Sequence, residues 1–287
     1  MAAASARVPG LFRSKTHLMI RIGTQTLAGT MELLVFEHDA PRVRELVAAG
    51  VGAYMVDLEC LGKDGRQLGF DTEIRPATLD DLRRVSEVPG AVPWCRVNRF
   101  GRQTASEVEA AIDAGARGLF LPMVTRPAEV ESFVTLVGGR VAVAILVETV
   151  EALASVEDLA AFPVDRVYFG LNDFAISRGG GSIFKAVLDG SVARARAAFA
   201  GTRFGFGGLT AVDGGHPVPC RRLLEEMARL KCDFCFLRRT FRRDLVTRPA
   251  AAIVLGLEAA WRDCVSRDDA TIERDRAALC AILCDLA

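Results

Sequence analysis

Glu148 and Asp173 each stand just past an apolar run, VAVAILV (141–147) before the first and VYFGLN (167–172) before the second. If those runs are neighbouring strands, two carboxylates meet at one sheet end and repel unless a proton, a cation or an arginine lies between them. Two hard oxygen donors suit Mg²⁺, Mn²⁺ or another divalent cation, while structural ion pairing explains many such groups equally well. Arg96, in WCRVNRFG, closes a third apolar run. Its guanidinium is able to grip a carboxylate or enolate oxygen with two prongs, or to close a salt bridge to Asp57 or Glu59. Other polar residues at run ends are His38, Asp39, Asn98, Asn172, Thr210, Asp213, Arg238 and Arg239, and Pro122 stops the run GLFLP.

Eight short apolar runs must position these groups: 33–36, 53–58, 92–97, 118–122, 142–147, 166–169, 204–209 and 233–237. Stretches with helical spacing follow them at 41–49, 77–86, 105–114, 128–136, 150–161, 183–199 and 219–230. This alternation predicts a parallel α/β fold. Eight units and the lack of a Gly-x-Gly-x-x-Gly turn after the first strand favour a (β/α)₈ TIM barrel over an open doubly wound sheet. Residues 1–30 are expected to form an arm and lead-in, and 31–287 one barrel. The surplus 250–287 is expected as extra C-terminal helices packed on a neighbouring subunit of a homo-oligomer.

The 287 residues carry 36 basic and 36 acidic side chains and are 51% apolar, so no net field favours nucleic acid or an anionic membrane. No apolar run reaches the length of a membrane span, and the first 20 residues lack the core of a secretory signal. The eight cysteines lie mostly within apolar runs, which suits a reducing cytoplasm. Cys232 and Cys235 form a Cys-x-x-Cys, but a strand over 231–237 would point them to opposite faces, so both are expected as core. The glycine run 179–181 is expected as a mobile lid rather than a phosphate cradle, since no Lys-Ser/Thr follows it as in a P-loop. The arginines of LRRTFRRD (237–244) suit a solvated rim, with contact to a CoA phosphate or to nucleic acid as the alternatives.

LPMV, ILVETVEAL, VDRVYFGLNDFAIS, MVDLE and WCRVN together resemble the citrate-lyase-beta and hydroxy-oxo-acid aldolase family of the phosphoenolpyruvate/pyruvate barrels, over roughly Met31 to Leu245. The resemblance implies a divalent cation on Glu148 and Asp173, Arg96 on an enolate oxygen, and a pyruvate-like acid or acyl-CoA as substrate. Two positions depart from it. Cys60 stands where the aldolases usually carry His, and Leu146 where they carry Gln; the Leu resembles the citrate-lyase and malyl-CoA-lyase branch, but Cys60 also replaces the further Asp that this branch often carries after its Asp-Leu-Glu, so the chain matches neither branch.

The expected activity is therefore a metal-dependent carbon–carbon lyase or aldolase working through the enolate of a 2-oxo acid. Arg96 and Glu59 are the expected catalytic groups, and Arg96, Asn98, Pro122, Asn172 and His216 the substrate contacts. His38, His216 or a cation-bound water poised by Glu59 is left to move the proton. Cleavage or hydrolysis of a 3-hydroxyacyl-CoA thioester is one alternative. A barrel that has lost catalysis and serves as a binding subunit is another.

Overall fold

The computed structural model describes residues 30–60 and 76–286. His17 and all of the expected N-terminal arm except Thr30 lie outside the described residues. The strands are β1 (Glu32–Phe36), β2 (Ala53–Asp57), β3 (Val92–Arg96), β4 (Gly118–Leu121), β5 (Ala142–Val147), β6 (Arg166–Phe169), β7 (Arg203–Phe206), β8 (Gly208–Leu209) and β9 (Phe234–Leu237). All pair in parallel, in the order β7-β6-β5-β4-β3-β2-β1-β9-β8.

Nine segments replace the eight expected strands because Gly207, at φ +66°, breaks the run 204–209. A residue with a Cβ resists that left-handed turn. The half before the break pairs with β6 and the half after it with β9, so one kinked strand closes the barrel. Asp233 N–H donates to Phe204 O at 2.8 Å, and Phe204 N–H to Asp233 Oδ2 at 2.9 Å, tying the start of β7 to the same seam.

The helices are α1 (Ala40–Ala48), α2 (Leu79–Ser86), α3 (Thr104–Asp113), α4 (Pro127–Val137), α5 (Val150–Ala154), α6 (Val156–Leu159), α7 (Leu171–Ser177), α8 (Lys185–Leu188), α9 (Ser191–Ala198), α10 (Cys220–Arg229), α11 (Arg239–Asp244), α12 (Ala250–Val265) and α13 (Asp269–Cys284). Local chemistry starts several of them. The Asp39 side chain accepts from Arg42 N–H at α1, and Thr78 and Asp81 cap each other at α2. Two expected helices are each split: 150–161 at Ser155, and 183–199 at Gly190, whose φ of +85° lies outside the helical region. The three glycines 179–181 all take positive φ just past α7, where Gly179 and Gly180 N–H groups bond the carbonyls of Ile176 and Ala175.

Period-2 alternation divides the apolar side chains between two cores. Leu34, Met55, Trp94, Phe120, Leu146, Phe234 and Phe236 fill the barrel interior. Their strand neighbours, such as Val35, Val56, Cys95, Leu119 and Ile145, face the helices. Gly118 makes room for the indole, since a Cβ there would lie 2.3 Å from Trp94 Cζ3. The floor is charged: Glu32 pairs with Arg166 at 3.0 Å and Arg203 at 2.6 Å, and Arg166 Cζ stacks 4.3 Å from the Trp94 ring.

Helix α13 packs on α10 and α8 of its own chain through buried Leu279 and Leu283. Arg276–Glu226 at 2.7 Å and Arg267–Asp275 at 2.8 Å brace that contact. Helix α12 packs on α10 and α1, leaving Leu255 (61%) and Val265 (48%) exposed. Among the described residues, no helix is long and apolar enough to cross a membrane.

The strand expected over 231–237 begins only at Phe234, after Lys231 turns the chain at φ +52°. The opposite-face argument for Cys232 and Cys235 therefore fails, and both thiols sit in the layer between sheet and helices, free and buried. Burial pushes both well above the ordinary thiol range. Iodoacetamide on the native protein at pH 8 should therefore modify Cys60 and Cys284, which are exposed, and spare Cys95, Cys220, Cys232, Cys235 and Cys264. Peptide mass spectrometry before and after denaturation reads this out, and native labelling of Cys232 or Cys235 would contradict the packing.

Candidate active site

The carboxyl ends of the strands carry the polar groups, above a platform of rings inside the barrel. Phe36 stacks on Phe236 at 4.9 Å, Tyr168 meets Phe236 edge-on at 4.7 Å, and Phe120 lies 6.0 Å from it. At the end of β3, as the register partner of Phe120, Arg96 has its Cζ 5.2 Å from the Phe36 ring.

Asp57 and Arg96 are register partners at the ends of β2 and β3. Arg96 donates from Nε to Asp57 Oδ1 at 2.9 Å and from Nη2 to Asp57 Oδ2 at 2.8 Å, a two-pronged pair. Glu59 Oε2 lies 3.4 Å from Arg96 Nε. Burial works against the cation, but Asp57, Glu59 and Glu148 together hold it charged, above the ordinary guanidinium range. The salt-bridge role considered for Arg96 is thus realised, and the guanidinium is fixed in place beside Glu148.

Glu148 ends β5 and is 3% exposed. Burial, then the field of Asp173, raises its carboxyl to about 8, opposed by Arg96 and by a hydrogen bond from Met123 N–H. That bond, to Oε1 at 2.8 Å, comes from a residue at φ +53°, a left-handed conformation that costs about 1 kcal/mol for a side chain with a Cβ. Pro122 is buried at the end of β4 and delivers Met123 to this position. The other oxygen lies over Gly170, where a Cβ would sit 2.5 Å from Glu148 Oε2. Asp173, partly buried in the first turn of α7, supplies the second carboxylate.

This donor set fits a hard divalent cation. Glu148 and Asp173 repel each other, Glu148 Oε1 already accepts an N–H, and Oε2 lies in a cradle that only glycine leaves open. Among the described residues no group of three or more His, Cys, Asp or Glu gathers to enclose a metal. Mg²⁺ is commonly held by one or two carboxylates with water and substrate completing the shell, so two suffice.

Of the residues expected from sequence, Glu59, Arg96, Glu148 and Asp173 come together. The Asn98 amide engages Cys60 N–H at 2.9 Å and Glu107 Oε1 at 2.6 Å, and Asn172 and His216 are exposed. His38 is buried beside Glu37, which accepts its backbone N–H at 2.9 Å. Leu146 points into the barrel as the register partner of Tyr168, and Cys60 is exposed. Gly170 and the Met123 N–H were not assigned roles from sequence. A glycine directly after an apolar strand end is a usable signal for the first, while the second depends on a backbone angle that no residue type announces.

These contacts predict opposite stability effects from removing neighbouring charges. Arg96→Met strands Asp57 and Glu59 and should cost about 3 kcal/mol, as for a broken buried pair. Glu148→Gln removes a repulsion and should leave metal-free stability equal or higher at neutral pH. Urea unfolding in chelator measures both, and a destabilised Glu148→Gln would count against the assigned electrostatics. Gly170→Ala should keep the fold but weaken Mg²⁺ binding at least tenfold by displacing Glu148; calorimetry showing unchanged affinity would exclude the cradle.

Residues 73–213 match the family model described as HpcH/HpaI aldolase/citrate lyase. No curated protein matches the chain. Solved structures do. An HpcH/HpaI aldolase from Desulfitobacterium hafniense DCB-2 is 16% identical, with a TM-score of 0.59 over 77% of this chain and 91% of that one. An HpcH/HpaI aldolase/citrate lyase family protein from Burkholderia cenocepacia J2315 is 22% identical, with a TM-score of 0.56 over 75% and 93%. Protein CitE from Mycobacterium tuberculosis, solved with magnesium and pyruvate, is 16% identical, with a TM-score of 0.57 over 88% and 98%. At these identities the likeness establishes the fold. The stretch 73–213, which carries Arg96, Glu148 and Asp173, matches the HpcH/HpaI aldolase/citrate lyase family, and the barrel around it has the fold of that family's solved members.

Proposed function

We propose that this protein is a divalent-cation-dependent carbon–carbon lyase or aldolase acting on a pyruvate-like 2-oxo acid. The observation that carries the reading is Glu148, a carboxylate buried at the barrel mouth beside Asp173 with one oxygen aimed into a glycine cradle. A group so placed is costly to ionise and finds its compensation in a cation. The family match over the same residues supports the reaction class, and the magnesium and pyruvate solved with CitE support the ligands.

Glu148 and Asp173 would hold the cation, which when bound supplies positive charge to an enolate oxygen. The chain's own contribution begins with Arg96. Its two-pronged contact with Asp57 prevents it from swinging, so its charge is in place before the reaction and costs no reorganisation. In this reading Glu59, buried beside Arg96, takes or returns the proton at the substrate hydroxyl. The ring platform of Phe36, Phe236 and Tyr168 excludes water from below and strengthens every charge above it.

We further propose that the C-terminal helices of the chain meet a second copy in a homo-oligomer, with Leu255 and Val265 of α12 at that contact.

Pyruvate release from a 4-hydroxy-2-oxo acid, read through lactate dehydrogenase, tests the activity. With Mg²⁺ the wild type should turn over, and Glu148→Ala and Asp173→Ala should lose at least a thousandfold in kcat/KM while keeping their circular dichroism. Activity that persists in excess chelator, or in either variant, would sink the cation-dependent reading.

A further inference from the structure

Arg96 is held side-on by Asp57, which takes its Nε and one Nη2 hydrogen. A second arginine at the same mouth is differently placed. Arg238 follows Leu237 at the end of β9, one alternation above Phe236, whose ring is part of the platform. Its stem runs over Gly208, where a Cβ would lie 2.4 Å from Arg238 Cγ. Gly208 and Phe236 are register partners, so that stem lies on the interior face of the sheet.

The surroundings place Arg238 at the same opening as Glu148. The Tyr168 hydroxyl donates to the carbonyl of Gly207, the residue before Gly208, and the phenol lies within the fields of both Glu148 and Arg238. Arg238 is partly buried, and among the described residues its guanidinium makes no ion pair and no hydrogen bond. The rest of its arginine cluster differs. Arg242 donates to Phe36 O at 2.6 Å and pairs with Glu37 at 3.2 Å, Arg239 has a partner of its own, and Arg243 is exposed. A cation held partly out of water without a counter-charge is disfavoured unless an anion joins it.

We infer that Arg238 is the substrate-anchoring, specificity-determining residue of this mouth, receiving a second anionic group, carboxylate or phosphate, of a substrate whose 2-oxo-acid end lies at Glu148 and Asp173. The inference rests on the lyase reading for the position of the 2-oxo-acid end. Gly208 is required with it, because any side chain there displaces the arginine stem. Planar two-pronged donation makes arginine the suited residue, and lysine a partial substitute.

Binding of three probes by calorimetry at saturating Mg²⁺ tests this: pyruvate, a dicarboxylate series from oxaloacetate to 2-oxoadipate, and 3-phosphonopyruvate. Wild type should bind at least one dianionic probe tenfold or more tighter than pyruvate, and whether a dicarboxylate or the phosphonate is favoured identifies the group. Arg238→Met should remove that preference while shifting pyruvate affinity less than twofold, Arg238→Lys should restore part of it, and Gly208→Ala should act like Arg238→Met if the latter fails to fold. Equal losses for all probes, preserved preference in the variants, or no dianion preference in the wild type would each overturn the anchor. Absent pyruvate binding with a dianion affinity that still depends on Arg238 would overturn the lyase reading and leave the anchor standing.

Discussion

The candidate site depends on the repulsion between two carboxylates, Glu148 and Asp173, at the end of a packed apolar barrel. A buried carboxylate beside another is unfavourable in isolation. The surrounding structure offsets it with the Arg96 charge and the Met123 N–H. The Asp57 contact in turn keeps Arg96 fixed and protonated. Each group thus needs the next, and the chain of dependence runs across β2, β3, β4 and β5.

That arrangement holds only because the interior below it is solid. The rings of Phe36, Phe120, Tyr168 and Phe236 fill the middle of the barrel, and the Glu32–Arg166–Arg203 group closes its floor. Charged groups therefore occupy both ends of an apolar column. At the floor two arginines share the single carboxylate of Glu32, a structural cluster with positive charge in excess. At the mouth the acidic groups outweigh Arg96, which is the imbalance a cation-binding site requires.

The two mouth arginines divide the positive charge differently. Arg96 is held rigidly by acidic neighbours, so it contributes a fixed field. Arg238 rises over glycine at the end of β9, three strands round the rim from β3, without such a partner among the described residues. Leu146 lies in the interior core under Glu148. Where the resemblance would have Gln there, this chain presents no hydrogen-bonding group, so the polar groups of the mouth all stand on its rim.

Most of the fold was legible in the sequence, because parallel strands buried on both sides are written as short apolar runs and the helices between them as 3.6-residue patterns. The bounds of β5 and β6 agree with that reading, and Glu148 and Asp173 could be singled out as carboxylates following two such runs. Periodicity cannot show a backbone angle, so the break of the seventh strand at Gly207 and the left-handed Met123 were settled only when the chain closed on itself. Nor could it choose between Arg96 as a substrate clamp and Arg96 as an ion-pair partner. The ion pair, which is compatible with a clamp, follows from the register of β2 on β3, which sets Asp57 opposite Arg96, and register is a property of paired strands rather than of either strand alone.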